Sequence, residues 1–197
     1  VADRAAKGDG SAARTLAALS AEGARDNNGF SKPTALHFTA GTQQFLAMAE
    51  QLRAGITADD LRKALTDVWD DSSKLPSFSW SATGQRMYAY RASNPSGDKR
   101  GSMAGAEWLA LLGLPFFPCA PRLTFRGVVV RTTGVEGGWK DSAFTWPLWQ
   151  VPATVPVIES LLRSRPERLR PHERAARGVA AVFHAKILRS DQGGYGS

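Results

Sequence analysis

Six arginines, Arg163, Arg165, Arg168, Arg170, Arg174 and Arg177, crowd one stretch of the chain, and only Glu167 and Glu173 oppose them between its ends. Guanidinium groups bind phosphate through a planar fork of donors, so arginine in this density points to a phosphodiester partner. On a helix, positions four and seven apart lie one above another, and Arg170, Arg174 and Arg177 would then form a stripe spaced at ~5–6 Å. The competing explanation is a solvated helix face whose cations offset the negative end of a helix. A second basic pair, Lys99 and Arg100, lies in the polar stretch Arg91–Ser102 and offers a further backbone contact. Gln43 and Gln44 follow Gly41 where an extended approach turns into a helix, and backbone N–H groups at such a junction can face an anion. Trp80, Tyr88 and Tyr90 would stack on bases if their faces were open, or pair across strands if they were not.

No set of residues assembles into a catalytic or metal-binding group. His37, His172 and His184 lack metal-site spacing, and Cys119, the single cysteine, sits between Pro118 and Ala120 beside two phenylalanines. Such a thiol reads as buried and inert. Asp70 and Asp71 adjoin at a helix end, where their side chains diverge. The glycines of Gly137–Asp141 and of Ser190–Ser197 lack the strand–helix context of a nucleotide loop. The expectation is a binding protein with no catalytic residue, no metal and no cofactor.

The composition agrees with that reading. The chain has 197 residues and a formal charge of +7, with a pI near 10.0. Such a balance favours an acidic partner, nucleic acid first among them. One cysteine excludes an internal disulfide and suits a reducing cytoplasm. No apolar run approaches the ~20 residues of a membrane span and no signal-peptide pattern opens the chain, so no membrane partner is expected.

The elements that must position these residues are α+β: helices packed on a small antiparallel sheet around a single mixed core. Residues 1–29 read as a flexible or partly helical lead-in, 30–190 as one domain and 191–197 as a glycine-rich tail. A short helix is expected near Ala12–Ala21. Another runs from Thr42 to Arg53, burying Phe45, Met48, Ala49 and Leu52. Thr57-Ala-Asp-Asp60 is a capping-box variant that opens a helix with Leu61, Ala64, Leu65, Val68 and Trp69 on its apolar face. Phe78–Tyr90 reads as a hairpin. Ala104–Leu112 is a compact apolar helix, and Leu114–Pro118 fills core space on a non-helical path. A long strand is expected over Arg122–Arg131 and another over Ser142–Trp149, with Pro147 at an edge or ending the pairing. Thr154 and Pro156 open a helix burying Val157, Ile158, Leu161 and Leu162. A last helix runs from His172 to Leu188, burying Val179, Val182, Phe183 and Ile187.

Four stretches in this order, Ser31–Leu46, Trp108–Pro118, Gly138–Trp149 and Arg189–Ser197, carry a resemblance. With their Leu-His-Phe-Thr-Ala-Gly-Thr-Gln-Gln-Phe-Leu, Gly-Leu-Pro-Phe-Phe-Pro, Phe-Thr-Trp-Pro-Leu-Trp and Ser-Asp-Gln-Gly-Gly-Tyr-Gly segments, the chain resembles a subunit family of the type I-G (formerly I-U) CRISPR-associated interference complex, or Cascade. The resemblance implies a non-enzymatic, cytoplasmic part of an RNA-guided ribonucleoprotein. Its partners would be guide RNA or target DNA, sister Cascade subunits and the helicase–nuclease that the complex recruits. In such complexes base pairing reads the sequence while protein holds backbones. The chain opens on Val1 and lacks the long region expected to precede these stretches in a large subunit. That leaves open a whole subunit, a split one or a segment. Two other readings stand beside this one: a subunit that only assembles with other proteins, and a metal-dependent nuclease using scattered acids.

Overall fold

The computed structural model describes residues 1–36, 45–70, 72–78, 80, 102–138 and 141–187. The fold class is α+β, with helices and two small antiparallel sheets among these residues. Where a single mixed core over residues 30–190 is expected, the contacts divide the chain into two compact units. The larger joins Val1–Thr39 to Leu114–Ser197, and the smaller is Ala40–Gly113.

The larger unit begins with helices α1 (Ala2–Ala6) and α2 (Gly10–Leu19). Asp9 caps α2 by accepting from the Ser11 and Ala12 N–H groups, each at 3.0 Å, and these bonds with Arg4 hold its carboxyl below the usual range. Residues 1–29 are partly helical as expected, yet they also contribute to a core. Ala12, Ala18, Ala21 and Ala24 are buried, and α2 packs on the 3-10 turn Leu114–Phe116 and on the strand Cys119–Thr124. Alanine faces allow close approach, so a segment poor in large apolar side chains can still pack.

The expected strand Arg122–Arg131 is instead a hairpin of β1 (Cys119–Thr124) and β2 (Gly127–Thr132), with Phe125 and Arg126 at the turn. Gly127 has φ +103, a conformation glycine adopts without a Cβ penalty. The Thr124 hydroxyl donates to the Gly127 carbonyl at 2.7 Å and accepts from the Arg126 N–H. A second sheet has the order β3 (Val135–Glu136), β4 (Ala143–Trp149), β5 (Val179–Lys186). Pro147 fits because β3 pairs only with Ala143 and Phe144. By Pro147, β4 has β5 alone as a neighbour, and the missing N–H costs no ladder bond.

Helix α6 (Val155–Arg163) follows Thr154 with Pro156 in its first turn and buries Leu161 and Leu162. The expected helix His172–Leu188 breaks after one and a half turns. Helix α7 (Pro171–Ala176) ends, Gly178 turns the chain at φ +70, and β5 begins at Val179. Pairing of Val182 and Phe183 with Pro147 and Trp146 outweighs the helical preference of the alanines around them.

The smaller unit holds α3 (Phe45–Gly55), α4 (Ala58–Thr66) and α5 (Ala104–Gly113). Leu52 is fully buried on α3, as expected, and α5 packs against both other helices. The capping box is present: Thr57 Oγ1 accepts from the Asp60 N–H, and the Asp60 carboxylate accepts from the Thr57 N–H at 2.9 Å. Helix α4 stops at Thr66 because Asp67 is extended. Val68 and Trp69 therefore fall beyond the helix and are exposed, and Leu65 within it is exposed as well, so the expected buried face is not formed. Glu107, a residue the sequence did not single out, is buried and accepts from the Ser77 hydroxyl (2.6 Å) and the Phe78 N–H (3.2 Å). It anchors a chain segment whose Phe78 ring lies 5.2 Å from that of Phe45. The expected hairpin beyond Trp80, the loop over 91–101, the Gly41 junction and the glycine-rich tail lie outside the described residues.

Candidate nucleic-acid interface

The arginine-rich stretch does not form a stripe on one helix. Arg170 precedes α7 in extended conformation, Arg174 lies within it and Arg177 follows its last turn. A six-residue helix cannot carry all three on a common face. Glu173 instead gathers two of them. Its carboxylate accepts from the Arg170 N–H at 2.8 Å and from the Arg170 guanidinium, while Arg177 donates to the Glu173 carbonyl at 3.2 Å. The Arg170 side chain and N–H hold the Glu173 carboxyl below its usual range. Among the described residues, Arg174 forms no ion pair.

The other half of the stretch folds back over β3. Arg168 donates twice to Glu136 Oε1, at 3.0 and 2.8 Å, and Arg165 lies 3.9 Å from the same oxygen. Arg163, in the last turn of α6, is 3.9 Å from Glu159. Arg165 takes φ 53 and ψ 67, the one positive φ outside glycine among the described residues. An L-residue there costs about 1–2 kcal/mol, and Pro166 disfavours the ordinary helical alternative.

This turn helps to enclose a cleft of about 170 Å³. Arg131 from β2, Arg163 and Arg165 line it with Glu136 and Glu167, and Thr132 and Thr145 supply polar edges. Three cations thus converge from two distant parts of the chain against two carboxylates. Arg131 was missed from sequence because it lies outside the dense cluster. A usable signal was nevertheless present: from Cys119 to Thr132 there are three arginines and no acid. Glu136, which organises Arg165 and Arg168, was missed because its role depends on the β3–β4 turn. Lys99, Arg100, Gln43 and Gln44 lie outside the described residues.

Among the described residues of the larger unit, Cys119 and His184 are held by hydrogen bonds. The Cys119 thiol is part-buried, donates to the Ala18 carbonyl at 3.4 Å and is pushed up by burial. His184 Nδ1 shares a hydrogen bond with the buried Thr145 hydroxyl at 2.9 Å. Among the described residues no cluster of three His, Cys, Asp or Glu side chains could hold a metal ion, and no helix is long and apolar enough to cross a membrane. No family model, curated protein or solved structure matches the chain.

Proposed function

We propose that this chain is a non-catalytic nucleic-acid-binding subunit of an RNA-guided CRISPR interference complex. It would hold a DNA or RNA backbone on the arginine-bearing side of its larger unit and dock on sister subunits. The observation that carries the binding reading is the partition of charge. Of the Lys and Arg residues, 17 fall in the larger unit against 10 Asp and Glu, whereas the smaller unit has 8 of each. The entire net charge of +7 therefore belongs to the unit whose cleft gathers Arg131, Arg163 and Arg165. Backbone binding of this kind is electrostatic and salt-dependent. The assignment to an interference complex rests on the resemblance of the four stretches.

An assembly-only role is the competing reading, favoured by Leu65, Val68 and Trp69 standing exposed together on the smaller unit. Filter binding of a labelled oligonucleotide separates the two. Nucleic-acid binding predicts retention at low salt that falls steeply as salt is raised, and negligible retention at every salt concentration would refute it.

A further inference from the structure

The hairpin β1–β2 is rooted in the core and bare at its tip. At the root, the Cys119 thiol bonds to the Ala18 carbonyl, the Thr132 hydroxyl accepts from the Ala35 N–H at 3.1 Å, and the Thr133 hydroxyl donates to the Pro118 carbonyl. Lys32 Nζ donates to the Val128 carbonyl at 2.7 Å, bracing β2 from outside the ribbon. Six-residue strands extend about 20 Å at the usual rise. At the far end Phe125 is 92% and Leu123 78% exposed. Packing within the unit leaves this phenylalanine bare at the end of a braced ribbon.

Charge indicates what meets it. In the strand register Arg122 lies opposite Val129 and Ala120 opposite Arg131, so Arg122 and Arg131 share one face of the ribbon as diagonal neighbours at about 7–8 Å. Arg131 lines the cleft, Arg122 stands nearer the tip, and the Arg126 guanidinium lies 5.1 Å from the Phe125 ring centroid. A row of cations thus leads from the cleft to an aromatic ring with its other face open, and the hairpin itself, Cys119–Thr132, carries no acid. An apolar protein partner would not select a row of arginines. A single nucleic-acid strand uses both features, since its phosphates follow cations and its bases stack on aromatic faces.

We infer that the β1–β2 hairpin is a finger that stacks Phe125 on an unpaired base, with Arg122 and Arg126 holding the adjoining phosphates. This inference rests on the nucleic-acid-binding reading above and names the form of its partner: an unpaired strand.

The test uses the full chain with single-stranded DNA and RNA oligonucleotides of one sequence, each carrying 2-aminopurine, whose fluorescence is quenched by stacking. Wild type is expected to bind and to change the probe's emission. Phe125→Ala should lower affinity about 5- to 150-fold, the range found for losing one base–aromatic stack, and abolish the emission change. Phe125→Trp should retain both. Arg122→Gln with Arg126→Gln should reduce the salt slope by about 1.4 while leaving the emission change in place. The DNA and RNA arms show which strand the finger takes. Phe125 is almost wholly exposed, so its loss does not threaten folding. Wild-type binding with an unaltered Phe125→Ala variant would overturn the finger and leave the cleft reading standing, whereas absence of wild-type binding would overturn both. Loss of a protein partner from Phe125→Ala, with nucleic-acid binding intact, would overturn the finger in favour of protein docking.

Discussion

Glu136 belongs to a strand of two residues, yet two arginines converge on one of its oxygens. Ion pairs this exposed contribute about 0–1 kcal/mol to stability, so packing alone gives little reason for the arrangement. Its larger effect is electrostatic: Glu136 offsets part of the positive charge at the cleft and fixes where Arg165 and Arg168 point. Glu136→Gln removes that offset and keeps the side-chain shape. The variant should therefore bind an oligonucleotide more tightly and with a salt slope steeper by up to about 1.4, the contribution of two further phosphate contacts on a single strand. Its melting temperature should barely move. Fluorescence anisotropy titrations at several salt concentrations measure both affinity and slope. Weaker binding by Glu136→Gln would show that the carboxylate serves to position the arginines rather than to restrain them.

At the scale of elements, the packing of α4 on α5 depends on one glycine. A Cβ at Gly105 would sit within the contact distance of the Asp60 carbonyl and close to the Ala64 methyl. Alanine gains up to about 1 kcal/mol of helix propensity over glycine, but overpacking against backbone costs about 1–3 kcal/mol. Gly105→Ala should thus destabilise the smaller unit by about 1 kcal/mol, read as a lower urea midpoint in tryptophan fluorescence. Gly113→Ala, where no atom would lie within 4 Å of the added methyl, is the matched control and should be neutral or mildly stabilising. Local signals made α4 legible from sequence, because the Thr57–Asp60 capping box acts within one turn. The same holds for the Gly10–Leu19 and Ala104–Gly113 helices. Elements stabilised from a distance were not legible. Residues 179–186 have the alanines of a helix and become a strand because β4 supplies a ladder that no local pattern encodes. The site followed the same rule. The sequence singled out Arg163 and Arg165 by density. It could not show that β2 brings Arg131 beside them, or that Glu136 and Glu173 engage several of the others.

For the whole molecule, the division of charge is more informative than its total. Repulsion among like charges destabilises a compact unit, so concentrating the full +7 in one unit while balancing the other is an arrangement with a cost. An anionic partner on the larger unit would relieve that cost. The distribution predicts where salt dependence originates. In the full chain, replacing Arg131, Arg163 and Arg165 together by Gln removes the three cations lining the cleft. The slope of log K against log salt should then fall by about 2, at roughly 0.7 per phosphate contact on a single strand. Arg53 and Lys74 are exposed cations of the smaller unit, and replacing both by Gln changes the formal charge by two. If net charge alone attracted the strand, that pair should cost about two thirds of the effect of the triple variant. If the larger unit holds the strand, the Arg53 and Lys74 pair should leave the slope within error of wild type. Equal slopes per charge removed in the two variants would therefore reject a localised interface in favour of diffuse attraction.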